Sequence, residues 1–166
     1  MLFRSEEVVR SAFARATSPG RCEIVLRNPT VIIDAAHNPH GAISLRRTIT
    51  DEFDFDAIVG VIAPMADKDV DGILEQCEAI MNRVIVTRNS SHRATPVEDL
   101  FVEAKEVFGL DRVEQSPDLE SAIKRAITLA VELNKAEQSN CGVLIAGSVV
   151  TAGEARAIIR GMKGEK

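Results

Sequence analysis

Ten residues, Val31-Ile32-Ile33-Asp34-Ala35-Ala36-His37-Asn38-Pro39-His40, constrain this chain more than any other stretch. A β-branched run stops at a carboxylate, a histidine follows, and a helix start comes next. Val31 to Ile33 read as a buried strand. Asn38 and Pro39 read as an N-cap and the first helical residue. The chain therefore turns from strand to helix and leaves Asp34 and His37 at the strand's carboxyl end. In open α/β sheets ligands bind at that edge. A helix start there also presents free N–H groups and a positive dipole end, which suit phosphate.

The rest of the pattern repeats this unit. Ile24 to Leu26 form a short strand, and Asn28-Pro29 turns the chain back into the 31–34 strand, which predicts an antiparallel hairpin. A helix is expected from Pro39 to Glu52, a strand over 57–62, a helix over 70–81 and a strand over 83–87. A helix over 96–108 follows, entered by Thr95 as N-cap. A weak strand at 112–115, a helix over 119–134, a strand at 142–146 and a helix over 149–162 complete the series. Strand–helix alternation with apolar strands predicts α/β architecture: one Rossmann-like domain with a mostly parallel six-stranded sheet, its first strand antiparallel, and helices on both faces. Helical spacing at Ser5–Ala16 marks residues 1–17 as a linker helix, with the domain proper at 18–166.

Composition narrows the function classes. The 166 residues suffice for one domain with a real core. Six Phe with no Trp or Tyr leave few stacking platforms for single-stranded nucleic acid. A net charge of −5 gives no electrostatic case for nucleic acid or a membrane surface. No apolar run approaches the ~20 residues of a membrane span. Cys22, Cys77 and Cys141 match neither a zinc site nor a CxxC redox pair. Cys77 and Cys141 lie in apolar contexts, as buried thiols of a cytoplasmic, reducing compartment would.

In a parallel sheet, the residues after each strand gather on one edge. Asp34 there can accept ribose hydroxyls, and His37 can donate to phosphate; the alternative is that Asp34 caps the next helix and His37 is a surface residue. Lys68, in Asp67-Lys68-Asp69, is placed to hold a carboxylate or phosphate; the alternative is a solvated turn with Asp69 as helix cap. His92 or Arg93 offers a cationic contact, or belongs to a plain polar loop. Gly147 admits close backbone approach. Ser148 adds a hydroxyl at a helix start, or caps that helix, a role open also to Thr151 with Glu154. No GxxxxGK[ST] phosphate loop and no GxGxxG occur. A nucleotide domain without a phosphate loop is a half-site that a second domain completes.

Taken in order, Pro19-Gly20-Arg21, Asp34-Ala35-Ala36-His37-Asn38-Pro39, Asp67-Lys68-Asp69, Arg93-Ala94 and Gly147-Ser148 resemble one family. They are similar to the C-terminal domain of the folylpolyglutamate synthase/dihydrofolate synthase family, in the Mur ligase superfamily, from Ser18 onward. The resemblance implies an ATP- and magnesium-dependent ligase joining L-glutamate to dihydropteroate or folates. The acid is phosphorylated to an acyl phosphate, and the glutamate amine displaces the phosphate. The phosphate loop and the metal ligands belong to a separate N-terminal domain in cis. Carried over, Arg21 and Asp34 contact the ribose and phosphate side of ATP, and His37 lies near the phosphates. Lys68 and Ser148 face glutamate, while Asn38 and Pro39 shape the helix start. On this resemblance His37, Lys68 and Ser148 form the catalytic set and Arg21, Asp34, His37 and Asn38 the ATP set.

The chain departs from the family in lacking the phosphate-loop domain, so alone it is expected to be inactive. Val149-Val150 replaces an aromatic or leucine after the Gly-Ser pair. The stretch Ala63-Pro64-Met65-Ala66 lacks the glycine often found before Asp-Lys-Asp. Two other readings stay open from sequence: a domain of another Mur-type amide ligase, or a stand-alone nucleotide- or anion-binding module without catalysis.

Overall fold

In a computed structural model, residues 20–164 are described. The expected helix at 5–16 and the 1–17 linker lie outside them. Strand β1 (Glu23–Arg27) pairs antiparallel with β2 (Thr30–Ile33), from Glu23 opposite Ile33 to Arg27 opposite Thr30. The short 28–29 connection permits no other pairing. Helix α1 (Pro39–Glu52), β3 (Ala57–Ile62), α2 (Val70–Glu78), β4 (Arg83–Val86) and α3 (Val97–Phe108) follow. A 3-10 turn (Leu110–Arg112), β5 (Val113–Gln115), α4 (Leu119–Glu137), β6 (Cys141–Ala146) and α5 (Val149–Met162) complete the described residues.

The sheet order is β1-β2-β6-β3-β4-β5. Strands β2, β6, β3, β4 and β5 run parallel, with Val31 beside Val143, Val59 beside Val143, Val61 beside Ile85 and Val84 beside Val113. Side chains alternate between faces because a strand has period two. Ile32, Ile58, Ile62, Val84 and Leu144 pack under α1, α2 and α3. Val31, Val59, Val61, Ile85, Val143 and Ile145 pack under α4 and α5. Both faces are covered, so the strands can be apolar throughout, and all six residues of β6 are buried.

The expected architecture is therefore the observed one, and four local details differ. Helix α2 ends at Glu78 rather than at 81, because Met81 turns out of the helix to fill the space above Gly60, where a Cβ would stand 2.2 Å from the Met81 sulfur. Helix α4 runs on to Glu137, since nothing interrupts it before Gln138 takes a left-handed φ of 50°. Thr95 does not cap α3. Pro96 holds that position without a side-chain cap, and the Thr95 hydroxyl donates to the Pro64 carbonyl at 3.3 Å. Residues 110–112 wind into a 3-10 turn before the short β5. Among the described residues, no helix is long and apolar enough to cross a membrane.

Candidate functional site

The carboxyl ends of the five parallel strands lie along one edge, and β6 and β3 mark its switch point. Helix α1 leaves β2 on one face of the sheet, while α5 leaves β6 on the other. The loops after β2, β6 and β3 touch there. The Gly147 N–H donates to the Ala36 carbonyl at 3.1 Å. Gly147 has φ +124°, and a Cβ on it would stand 2.8 Å from the Ala63 carbonyl carbon and 2.9 Å from the Pro64 nitrogen. Only glycine lets the two backbones come this close.

Arg21, Asp34, His37 and Asn38 line one cleft of about 560 Å³, together with Cys22, His40 and Ser44. Asp34 is 7% exposed and does not cap α1. Its Oδ1 accepts the Ala36 N–H at 2.7 Å and its Oδ2 accepts the Cys22 N–H at 2.8 Å. The carboxylate thus joins the segment entering β1 to the turn leaving β2. Each oxygen keeps acceptor capacity for a hydroxyl in the cleft. Asn38 caps α1, its Oδ1 accepting the Gly41 N–H at 2.7 Å, and Pro39 starts the helix. The His37 ring lies with Nδ1 2.9 Å from the Ala35 carbonyl. A carbonyl only accepts, so Nδ1 donates, and Nε2 is left for a ligand, accepting in the neutral ring and donating in the imidazolium. Arg21 is exposed on the rim, where a long cation can reach an anion in the cleft.

Cys22 reaches the same cleft through a left-handed φ of 43°. Burial, and then the neighbouring Asp34 charge, push its thiol up to about 12. It therefore stays a neutral thiol, not a nucleophile. Cys77, buried in the core, is pushed up to about 12 mainly by burial, with a smaller contribution from the Asp34 charge.

Lys68 and Ser148 lie outside this cleft, in the loops that flank it. Lys68 is half-buried and its Nζ is 3.6 Å from Asp67 Oδ2. Arg93 also donates to Asp67 Oδ2, so it pairs with this loop rather than reaching a site of its own. Hydrogen bonding from Arg93 holds the Asp67 carboxyl below its usual range. Asp69 caps α2, accepting the Gly72 N–H at 2.9 Å. Pro39 packs so closely on Gly72 that a Cβ there would stand 2.6 Å from its ring, which seats the start of α2 beside the start of α1.

Ser148 caps α5. Its Oγ accepts the Thr151 N–H at 2.9 Å, which settles the choice against Thr151 as cap. Ser148 is 2% exposed, and its Oγ lies 2.8 Å from Thr151 Oγ1. Val149 and Val150 follow on the exposed rim at the start of α5, Val149 being 65% exposed. His92 lines a second cleft, about 570 Å³, between the β4 and β5 ends with Arg88, Ser91 and Ser116.

One residue escaped the sequence reading. Asn89, 2% exposed, follows β4, and its Nδ2 faces the Ala63 carbonyl, Ser148 Oγ and Thr151 Oγ1 at 3.2, 3.3 and 3.0 Å. The available signal was its place just past an apolar strand on the ligand edge. Among the described residues, no group of three or more His, Cys, Asp or Glu is placed to hold a metal ion.

Fold and site together define a doubly wound α/β domain whose strand ends carry an acid, an imidazole and two helix starts. Residues 20–149 match the family described as Mur ligase, glutamate ligase domain, and the chain belongs to that family. It is 48% identical to a Mycobacterium tuberculosis dihydrofolate synthase/folylpolyglutamate synthase over 158 residues, 92% of this chain and 32% of that protein. The chain thus spans about a third of the length of that curated relative. The structure of M. tuberculosis folylpolyglutamate synthase complexed with ADP and AMPPCP superposes with a TM-score of 0.90 at 46% identity, covering 95% of this chain and 36% of that one. Escherichia coli FolC in complex with DHPP and ADP gives a TM-score of 0.82 at 25% identity, covering 98% and 36%.

Proposed function

We propose that this chain works as the glutamate-side domain of an ATP-dependent ligase that adds L-glutamate to dihydropteroate or a folate. The observation that carries the reading is the direct joining of two ligand regions on adjacent strand ends. The Asp34–His37 cleft and the Ser148 helix start meet through Gly147 N–H and the Ala36 carbonyl, 3.1 Å apart. The names of the similar proteins, and the ADP in two of their structures, support a nucleotide and the folate branch. A phosphate-loop domain in cis would supply the rest of the ATP site and the ligands of Mg, since the described residues offer no metal cluster. The proposed compartment is the cytoplasm.

The roles follow from the chemistry of each group. Asp34 accepts the ribose hydroxyls while its other lone pairs hold the cleft's backbone in place. Arg21 donates to the phosphates beside the start of α1, where helix dipole and N–H groups favour negative charge, and His37 joins it through Nε2 when the ring carries a proton on both nitrogens, since Nδ1 already donates to the Ala35 carbonyl. Asn38 sets that start. ATP supplies the phosphoryl group that activates the acceptor acid. Lys68 holds one carboxylate of glutamate as a point charge. Ser148 and the first turn of α5 hold the other. Fixing both carboxylates aims the amine at the activated carbonyl, which lowers the entropic part of the barrier.

The test uses a ligase in which this chain is joined to a phosphate-loop domain. Asp34→Ala should raise the KM for ATP, and Ser148→Ala should mainly raise the KM for glutamate. Unchanged steady-state kinetics in both variants would refute the assigned roles.

A further inference from the structure

We infer that Asn89 is a positioning residue for the amino-acid substrate: it meets the hydrogen-bonding needs of a buried cluster so that the Ser148 proton is free for a carboxylate. The inference rests on the proposed placement of glutamate at Ser148. It comes from counting protons among four buried groups, since Asn89, Ser148, Thr151 and Ala63 are 2%, 2%, 0% and 0% exposed.

The Thr151 hydroxyl has one proton, and its shortest contact is the Ala63 carbonyl at 2.6 Å. The proton lying between Ser148 Oγ and Thr151 Oγ1, 2.8 Å apart, is then the one on Ser148. Thr151 Oγ1 does not depend on it, because Asn89 Nδ2 donates to the same oxygen at 3.0 Å. The second Nδ2 proton is shared between the Ala63 carbonyl at 3.2 Å and Ser148 Oγ at 3.3 Å. Ser148 Oγ also accepts the Thr151 N–H. Every acceptor in the cluster is served without the Ser148 proton. That proton can rest on Thr151 and turn outward with nothing left orphaned, so no desolvated acceptor opposes the move.

Which end of the amide faces the cluster is set by its other end, where Asn89 Oδ1 accepts the Ser91 N–H at 3.0 Å. The loop is fixed again one residue on, where the Ser90 N–H and hydroxyl both donate to Glu154 of α5. The same loop holds the Lys68 side, through Ala66 N–H to the Arg93 carbonyl at 2.8 Å and Thr95 N–H to the Pro64 carbonyl at 3.1 Å. The loop that carries Asn89 therefore contacts both segments assigned to glutamate.

Asn89→Asp keeps the shape and replaces the donor by an acceptor. It would draw the Ser148 proton inward and place a negative charge behind the carboxylate site. Asn89→Leu removes the donors without adding charge and leaves Thr151 Oγ1 dependent on Ser148. In the ligase containing this chain, each should raise the glutamate KM roughly tenfold or more, as expected for losing a hydrogen bond to a charged group. The ATP KM should stay within about twofold. In a Ser148→Ala background, Asn89→Leu should add less than about twofold, because coupled residues are not additive.

Three outcomes overturn the inference: an unchanged glutamate KM in both variants, effects that add to Ser148→Ala, or equal rises in both KM values. Loss of the fold in both variants would make Asn89 a structural residue and also overturn it. A wild-type ligase without glutamate-dependent ADP release would instead refute the proposed function, and this inference with it.

Discussion

Gly147→Ala tests the close approach on which the site geometry depends. The new Cβ would lie 2.8 and 2.9 Å from the Ala63 carbonyl carbon and oxygen and 2.9 Å from the Pro64 nitrogen. These are backbone atoms held by β3 and β6, so they cannot swing aside. The left-handed φ costs an alanine about 1–2 kcal/mol, and overpacking adds about 1–3 kcal/mol. The total, about 2–5 kcal/mol, is a large share of a stability of about 5–15 kcal/mol. Gly109→Ala is the matched control: its φ is +83° and nothing lies within 4 Å of the new Cβ. Both substitutions reduce unfolded-state entropy alike, so their difference isolates the overlap. Urea unfolding followed by circular dichroism should show Gly147→Ala less stable than Gly109→Ala by about 1–3 kcal/mol, a midpoint shift of roughly 1 M. Equal losses would refute the argument that the β6 and β3 loops are in backbone contact.

Other expected outcomes follow from the same geometry. Asp34→Ala leaves the Cys22 and Ala36 N–H groups without their acceptor; at about 1–3 kcal/mol for each buried donor, urea unfolding should detect the loss. Alkylation of Cys22 should still be accelerating at pH 10, given a thiol pushed up to about 12. Asp34→Asn should move that profile to lower pH, and an ordinary thiol profile in the wild type would contradict the buried placement. Hydrogen bonding from Arg125 lowers the Glu114 carboxyl from 4.5, and the Ser121 N–H lowers that of Asp118 from 3.8. Groups lowered in the fold stabilise it above those ordinary values and lose that effect as pH falls through the lowered ones. The urea midpoint should therefore be flat near neutrality and drop below about pH 4, less steeply in Glu114→Gln and Asp118→Asn. The isolated chain should bind ADP weakly at most and release none from ATP; robust turnover would contradict the half-site reading.

Local signals carried much of this structure. Helix α1 was legible from end to end because Asn38-Pro39 caps and starts it. The hairpin followed from the Asn28-Pro29 turn, and the apolar 57–62 and 142–146 segments read as buried strands, which the sheet pairs at its centre. Asp34 and Asn38 stood out for the same local reason. What was not legible depends on distant partners. The Thr95 hydroxyl chose a carbonyl 31 residues away over capping its own helix. Met81 continued the apolar period of α2, yet it packs on Gly60 of a strand. Asn89 sits in a polar run, and its partners are 59 and 62 residues further on. Ser148 was legible as a cap, but the filling of its oxygen's acceptor side, which leaves its proton to spare, was not, since Asn89 and the Thr151 N–H supply it together.

The most direct measurement on the central claim is the steady-state response of Lys68→Met, with ATP and glutamate varied separately, in the ligase containing this chain. Lys68 Nζ is held 3.6 Å from Asp67 on the loop beside Ser148, outside the Asp34–His37 cleft. The account predicts a glutamate KM raised roughly tenfold or more, for one lost charge-assisted contact, with the ATP KM unchanged. A raised ATP KM with an unchanged glutamate KM would contradict the division of the edge into a nucleotide side and an amino-acid side.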